Sequence, residues 1–442
     1  MHEARDTAAL LPEYRGLELL GGTLPREREG WPKFATRRTM DASGDFYDLA
    51  LEEVVEYADG MVWNWPQRTH FFLCDMHADA EAFFRSLLAT GGVVKAGRDD
   101  SDFELTAEGR EARFVIGGDC FDKGPSNLRL LRALAALRNS GAEVEILAGN
   151  HDVRALVGLE YLGRKEPRLA HLFVRMGKKS IPLFKEIYDA YLAGGNGQRR
   201  HSEDELRALL FPDPSWYADF PDAVRGVVLE KRIKNELVRI REKVQEMEDS
   251  RQSMGMNLGM IYAAAEQARQ LFRTPGGEFH WFFEEMTLAR REGSLLFIHA
   301  GVDNLVAAQL EREGVGALNA DFRRLMREDL FELYHGPVGN TFRTKYRDSD
   351  LPFSGRGGRD LRRAGIFAIV HGHRNIPRGQ RVVLRRRILN FECDATVDAN
   401  TRKLLGLQGV GGAATIISPG GTITGISTDY PYAKTFDIRM LA

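Results

Sequence analysis

The chain has 442 residues, of which 43% are hydrophobic and 28% are charged, as in ordinary globular proteins. With 61 Lys and Arg residues against 63 Asp and Glu residues, the net charge is −2, which excludes a strongly basic nucleic-acid-binding protein but not a local basic patch. The cysteines (Cys74, Cys120 and Cys393) are too few and too scattered for a disulfide framework or a structural zinc site. The first residues lack a basic region followed by an apolar core, and no apolar run approaches the ~20 residues of a membrane span, so we expect a cytoplasmic protein.

Regular patterns begin at residue 70, and we interpret residues 1–69 as an N-terminal extension. The apolar run Phe71–Cys74 predicts a buried strand, and apolar positions at helical spacing predict a helix over 79–90. Phe114–Ile116 and Val144–Leu147 predict two further strands with a leucine-rich helix between them. Strands that alternate with helices predict parallel βαβ units.

Residues 155–290 interrupt this alternation. They lack strand patterns and are rich in charged helix formers, so we predict a large helical insertion. Within it, apolar residues recur every three or four positions from Ile233 to Met247, which indicates a helix. We hypothesise that the insertion acts as a lid or substrate-selecting cap, and an oligomer contact through it stays open.

The α/β pattern then returns, and it completes a predicted core formed by residues 70–154 and 291–442. Predicted strands lie at Leu295–Ile298, Ile366–Val370 and Arg387–Phe391. Ala414–Ile417 and Thr422–Ile426, joined by the turn at residues 418–421, predict a β-hairpin.

Side chains suited to binding metal follow five of the predicted strands. They are Asp75 and His77, Asp119 and Asp122, Asn150 and His151, His299, and His373. Strand ends of α/β units meet at one edge of a sheet, so these residues are expected to converge. Taken singly, each motif could be a turn, a helix cap or a core histidine. Together they supply carboxylate, imidazole and amide ligands for two divalent ions, without the thiolates that softer metals prefer.

In this order, the motifs D-x-H, G-D-x-x-D-x-G, G-N-H-D, a lone His and G-H resemble the signature of calcineurin-like metallophosphoesterases. The resemblance covers residues 70–152 and 294–428. It implies a two-sheet β-sandwich core flanked by helices, and hydrolysis of a phosphate ester by a metal-bound hydroxide. Two divalent ions are implied, with Mn²⁺ as the preferred candidate and Fe, Zn²⁺ or Mg²⁺ as alternatives.

The resemblance also implies a role for each matching residue. Asp75, His77 and Asp119 would hold the first ion. Asp119 would bridge to a second ion held also by Asn150, His299 and His373. His151 would protonate the leaving oxygen, assisted by Asp122.

Two departures from the family pattern refine this expectation. Asn375 follows Gly372-His373-Arg374 where many diesterases have a second histidine, which resembles the phosphoprotein-phosphatase-like branch and favours a phosphomonoester substrate. Lys123 stands where that branch usually has a phosphate-binding arginine, so bidentate recognition is lost while the charge is kept. Arg343 and Arg347 are both candidates for a further phosphate contact.

Alternative functions stay open at this point. A phosphodiesterase or nucleotide pyrophosphohydrolase would use the same metal centre, and a non-catalytic scaffold could bind a partner through the helical insertion. The expected partner is a phosphorylated small molecule, nucleotide or protein, with no membrane and no clear nucleic-acid signal.

Overall fold

The computed structural model describes residues 11–31, 39–40, 46–47, 51–194, 201–228 and 230–438. Its strands are β1 (Glu27–Gly30), β2 (Thr39–Met40), β3 (Phe46–Tyr47), β4 (His70–Leu73), β5 (Val93–Lys95), β6 (Phe103–Leu105), β7 (Arg113–Ile116), β8 (Glu143–Ile146), β9 (Ala289–Glu292), β10 (Leu295–Ile298), β11 (Ala368–His371), β12 (Arg381–Arg385), β13 (Ile388–Glu392), β14 (Ala413–Ile417), β15 (Thr422–Ser427) and β16 (Tyr432–Asp437).

The α-helices vary from five to 25 residues. They are α1 (Leu51–Asp59), α2 (Ala80–Thr90), α3 (Ala107–Glu111), α4 (Asn127–Asn139), α5 (Asn150–Glu160), α6 (Ile181–Tyr191), α7 (Glu203–Leu210), α8 (Trp216–Ala223), α9 (Glu230–Ser253), α10 (Leu258–Arg273), α11 (His280–Glu284), α12 (Asn304–Glu328), α13 (Leu330–His335), α14 (Pro337–Thr341), α15 (Gly355–Arg363) and α16 (Ala399–Leu404). Among the described residues, no helix combines the length and apolar character that a membrane span requires.

Two mixed sheets form the centre of the α/β fold. A seven-stranded sheet has the order β1-β16-β15-β14-β4-β7-β8, and a five-stranded sheet has the order β12-β13-β11-β10-β9. The pairs β4–β7, β7–β8 and β10–β11 are parallel, as the βαβ pattern predicts. The hairpin β14–β15 is antiparallel, also as predicted. The α/β fold class is therefore confirmed.

The two sheets stack face to face, which explains why their central strands are continuous apolar runs. In β4, Phe72 belongs to the core between the sheets, whereas Phe71 and Leu73 pack in the larger core beneath the helices. Across the sandwich, the rings of Phe72 and Phe297 lie with their centroids 6.0 Å apart. Strands buried on both faces need no polar alternation.

The first segment of the chain contributes to this sandwich. Strand β1 pairs in parallel with β16 at the edge of the seven-stranded sheet. Trp31, Val54 and Tyr57 are buried in the core between the sheets.

Helices alone make up the regular structure between β8 and β9 in the described part of the chain. Helix α9 includes the predicted helix from Ile233 to Met247, and Ile233, Ile240 and Met247 are buried. The ring of Phe121, in a loop of the core, packs against Phe282 of α11 at 5.4 Å. The assignment of residues 155–290 as a lid or cap stays a prediction.

One carboxylate joins the helical part to the core at the start of α4. Glu186 of α6 accepts hydrogen bonds from the backbone N–H groups of Asn127 and Leu128, both at 3.0 Å. It also accepts from Asn127 Nδ2 at 3.0 Å and Ser126 Oγ at 2.9 Å. A carboxylate at this position satisfies free backbone donors and interacts favourably with the helix dipole.

Candidate metal centre

The predicted ligand residues lie together beyond the carboxyl ends of β4, β7, β8, β10 and β11. All except the half-buried His373 are buried. Asp119 lies at the centre of the group, with Oδ2 3.7 Å from His77 Nε2 and Oδ1 3.5 Å from His299 Nε2. The structure therefore brings these residues together at one edge of the sheets, where the strand-end argument expects them.

Two overlapping groups of ligand atoms share the Asp119 carboxylate. One consists of His77, Asp119 and His151 and the other of Asp119, His299 and His373, and within each group the ligand atoms lie within 4.8 Å of one another. Burial raises the pKa of Asp119, but His299, His77 and Lys123 together hold it below its usual value. An ionised carboxylate between two groups of imidazoles is suited to bridging two cations.

The orientation of three histidines fits metal binding. His77 Nδ1 lies 3.1 Å from the Phe121 carbonyl oxygen, and His299 Nδ1 lies 2.7 Å from that of Gly117. His373 Nε2 lies 3.1 Å from the carbonyl oxygen of Arg343. Because a carbonyl oxygen only accepts, each of these nitrogens carries the hydrogen and the other nitrogen presents a lone pair. Such anchoring of the second nitrogen is typical of metal-binding histidines.

Asn150, the first residue of α5, can present either amide atom to the centre. In one orientation Oδ1 lies 3.3 Å from His299 Nε2. In the opposite orientation Nδ2 donates to His373 Nδ1 over 2.8 Å, and the oxygen accepts from His151 N and Arg154 Nη2. The first orientation places two lone-pair atoms side by side, which a cation would stabilise.

His151 and Asp122 form the contact that the resemblance implies. His151 Nδ1 lies 2.7 Å from Asp122 Oδ2, and both side chains are buried. Burial raises the pKa of Asp122 to about 6. Burial and the charge of Arg154 lower the pKa of His151. With Nδ1 held by the carboxylate, His151 Nε2 faces the centre, 4.0 Å from Asp119 Oδ2.

Asp152 organises the loop that carries Asp119, a role the sequence does not reveal. Its Oδ2 accepts from the backbone N–H groups of Asp119 at 2.7 Å and Gly149 at 3.1 Å. Its Oδ1 accepts from those of Cys120 at 2.8 Å and Phe121 at 3.2 Å. Burial and repulsion from Asp119 raise the pKa of Asp152 to about 7. This carboxyl group therefore fixes the backbone on which the shared ligand sits.

Unusual backbone conformations concentrate around the centre. Of the eleven non-glycine residues with positive φ in the described part of the chain, seven lie in the ligand loops. They are Asp75, His77, Ala78, Asp119, Asp122, Lys123 and His373. Left-handed backbone is unfavourable for such residues and recurs at functional sites, where surrounding structure maintains it.

The three predicted phosphate-binding residues occupy different environments. Lys123 Nζ lies 2.6 Å from His77 Nε2, so a metal ion on that nitrogen requires the ammonium to move aside. Arg343 is half-buried, and its guanidinium lies 4.8 Å from the ring centroid of Tyr334. Arg347 is exposed. The structure thus places Arg343, which is tied through its carbonyl to His373, beside the centre.

Asp75 and a further carboxylate, Asp394, add negative charge to the centre. Asp75 Oδ1 lies 3.9 Å from His77 Nε2, and Oδ2 accepts from the His373 backbone N–H at 2.9 Å. Burial, then repulsion from Asp394 and Asp119, raises the pKa of Asp75 well above its usual value. Asp394 is itself buried, and its Oδ2 has no hydrogen-bond partner among the described residues. Crowded buried carboxylates of this kind favour a bound cation.

The sequence contains a signal for Asp394 that the predictions did not use. A strand was predicted over Arg387–Phe391, and the structure has it as β13. Asp394 follows that strand closely, as the other ligand-type residues follow theirs. The strand-end rule, applied once more, would have identified it.

No protein-family model matches the chain, and no curated protein matches it. Among solved structures, a cold-active protein tyrosine phosphatase has a TM-score of 0.43 and 13% sequence identity, over 88% of this chain and 84% of that chain. A cold-active protein-tyrosine phosphatase of a psychrophile, Shewanella sp., has a TM-score of 0.41 and 12% identity, over 88% and 86%. A protein serine/threonine phosphatase from Saccharomyces cerevisiae has a TM-score of 0.34 and 13% identity, over 84% of each chain. These similarities are distant, so the function is inferred from the site itself.

Proposed function

We propose that the chain is a metal-dependent phosphoesterase that hydrolyses a phosphomonoester at the centre around Asp119. The observation that carries this proposal is the pair of overlapping ligand groups that share the Asp119 carboxylate. Their oxygen and nitrogen donors suit Mn²⁺, Fe, Zn²⁺ or Mg²⁺. Two such ions, when bound, would orient the phosphoryl group, stabilise its developing charge and make the attacking water more acidic.

Each side of Asp119 would hold one of the two ions. Asp75 and His77 lie on the side of Oδ2, and His299 lies on the side of Oδ1. Asn150 and His373 complete the second set, with the Asn150 carbonyl turned inward. This division assigns the first ion to Asp75, His77 and Asp119, and the second to Asp119, Asn150, His299 and His373.

Proton transfer would fall to His151. Its Nδ1 is held by Asp122, so Nε2 is directed towards the centre and can donate a proton to the leaving oxygen. The charge of Asp122 stabilises the imidazolium form that burial disfavours. Lys123 and Arg343 would hold the oxygens of the reacting phosphate.

The preference for a monoester rests on the resemblance in which Asn375 replaces the second histidine of diesterases. Initial rates with p-nitrophenyl phosphate and with its bis ester, measured after chelation and addition of Mn²⁺, Mg²⁺, Zn²⁺ or Fe²⁺, test it directly. We expect turnover of the monoester. Turnover of the diester alone would contradict a phosphomonoesterase but keep a phosphoesterase.

Asp119→Asn tests the shared ligand, with Asp204→Asn on the exposed side of α7 as the matched control. We expect the first variant to lose bound metal, measured by elemental analysis, and to lose at least about 100-fold in kcat/KM, because a central charge is removed. The control should keep both. If Asp119→Asn keeps its metal and its activity, the proposed centre is wrong.

A further inference from the structure

A band of basic side chains, formed by Arg154, Arg175, Lys179, Lys243 and Arg343, lies next to the metal centre. Three of the five come from the helical segment that follows α5: Arg175, Lys179 and Lys243. Among the described residues, Arg175 is the member with a carboxylate within ion-pair distance, that of Glu236 at 3.3 Å. The other four cations form no such pair in the part of the chain that the structure describes. The band therefore carries excess positive charge.

Lys243 is the most unusual member, because it is buried and no carboxylate of the described residues lies within ion-pair distance of its ammonium, whose charged form is favoured by the charge of Tyr334. It lies within α9 and is 7% exposed, and its ammonium lies close enough to Gly177 that a side chain there would overlap it. Burial, then the charges of Arg154 and Arg175, lowers its pKa to about 7. Uncompensated buried charges are strongly unfavourable, and they persist where function needs them.

Arg154 and Lys179 connect Lys243 to the catalytic residues. Arg154 is half-buried on α5, three residues after His151, and its Nη2 lies 3.2 Å from the Asn150 amide in one orientation of that amide. The exposed Lys179 is repelled by Lys123 and Arg154 and attracted by Asp122. The band thus begins at the proton-transfer pair.

Tyr334 connects the band to the other side of the centre. This buried side chain receives a hydrogen bond from Arg175 Nε at 3.2 Å, and the guanidinium of Arg343 lies over its ring. Burial raises the pKa of Tyr334, but Arg175, Arg154 and Arg343 outweigh it and lower the pKa to about 7. The carbonyl of Arg343 in turn accepts from His373 Nε2. Positive charge therefore extends along one side of the whole centre.

Resting on the proposed phosphoesterase function, we propose that Arg154, Lys179 and Lys243 bind a second phosphate group of the substrate. With Lys123 and Arg343 assigned to the reacting phosphate, these three cations remain for another anion. Ammonium and guanidinium donors together match a dianionic phosphate. The depth of Lys243 favours a small molecule over a protein chain, so the substrate class is a small bisphosphate.

The test compares alkanediol bisphosphates of graded length with the corresponding alkanol monophosphates, using the full chain with Mn²⁺. We expect the wild type to have a higher kcat/KM for one of the bisphosphates. Lys243→Met should lower the ratio of the two kcat/KM values by about tenfold to 100-fold, as expected for loss of a hydrogen bond to a charged group. Lys234→Met, at an exposed position of the same helix, is the matched control and should keep the wild-type ratio.

The outcomes separate this inference from the proposed function. Turnover of monophosphates without any preference for a bisphosphate, or an equal loss on both substrates in Lys243→Met, would overturn the inference alone. If neither substrate is hydrolysed, the proposed function is wrong. Titration calorimetry with the same bisphosphate then still tests whether Lys243 binds a phosphate group. Equal Kd values for wild type and Lys243→Met would overturn the inference. If the Kd of inorganic phosphate changes in Lys243→Met as much as that of the bisphosphate, the pocket takes free phosphate and the inference is also wrong.

Discussion

Replacing Lys243 by methionine should stabilise the protein, because none of the described carboxylates pairs with its ammonium. Methionine is of similar length and can fill the same space in α9 without a charge. The pKa of Lys243 is lowered from 10.5 to about 7, mainly by burial. At about 1.4 kcal/mol for each pKa unit, keeping the ammonium charged in the folded state costs up to about 5 kcal/mol. Local rearrangement reduces such costs, and we expect the variant to gain about 2 kcal/mol in the free energy of unfolding near neutral pH.

The gain should depend on pH in a defined direction. Between the folded pKa of about 7 and the unfolded value of 10.5, the unfolded chain binds more protons at Lys243 than the folded chain. The contribution of this residue to stability therefore rises with pH across that window. Below it, the folded protein bears the full cost of the charge, and above it both states are neutral. The advantage of Lys243→Met should thus be largest below about pH 7 and disappear near about pH 10.5.

Urea denaturation of wild type, Lys243→Met and the exposed control Lys234→Met, at several pH values across this window, measures the effect. The control should match the wild type throughout, because the side chain of Lys234 is exposed to water in the folded protein as in the unfolded chain. A Lys243→Met variant that is less stable than wild type would refute the reasoning. So would a gain that does not change with pH, since it would then come from packing and not from the charge.

Three further substitutions test how the loops of the centre are held and how it binds metal. Asp152→Asn should lower the free energy of unfolding by about 2–4 kcal/mol, because an amide NH₂ cannot accept hydrogen bonds from the backbone donors that the carboxylate binds. Urea denaturation measures this change. A change below about 0.5 kcal/mol would contradict the role of Asp152 in holding the Asp119 loop. Phe121→Ala should lower the free energy of unfolding by about 3–5 kcal/mol in the same assay, because the ring is fully buried against phenylalanines of α10 and α11. A much smaller loss would mean that this ring does not anchor the helical part. Asp394→Asn should weaken Mn²⁺ binding about tenfold in titration calorimetry, since it removes a nearby negative charge, and unchanged affinity would exclude Asp394 from the centre.

The central strands could be predicted from the sequence because their environment is simple. Strands β4, β7 and β10 are short, largely apolar runs buried on both faces, so hydrophobicity alone marks them. Strands β1 and β9 carry mostly charged residues and were not predicted. They are strands because β16 and β10 offer backbone partners at the sheet edges, a tertiary effect without a local pattern.

The same distinction holds for the site. Convergence of the ligand residues follows from one rule about strand ends, and the structure brings them together around Asp119. The spacing does not show which of Arg343 and Arg347 is the better candidate for a phosphate contact, because that depends on where Tyr334 lies in the fold. The basic band could not be predicted either. Lys243 and Arg154 lie far apart in the chain, and their charges repel each other only once the fold brings them near.

The carboxylate of Glu186 connects the helical part by hydrogen bonds to the loop that carries Asp122. Glu186 binds the side chain of Asn127, and Asn127 Oδ1 accepts from the backbone N–H of Asp122, the partner of His151. A continuous line of hydrogen bonds therefore leads from α6 to the pair formed by Asp122 and His151. Without these helices Asn127 would lose this partner, so removal of the segment is expected to loosen the loop that carries Asp122. A substitution on α6 is therefore expected to reach Asp122 and His151 through this line, without any change at the centre itself.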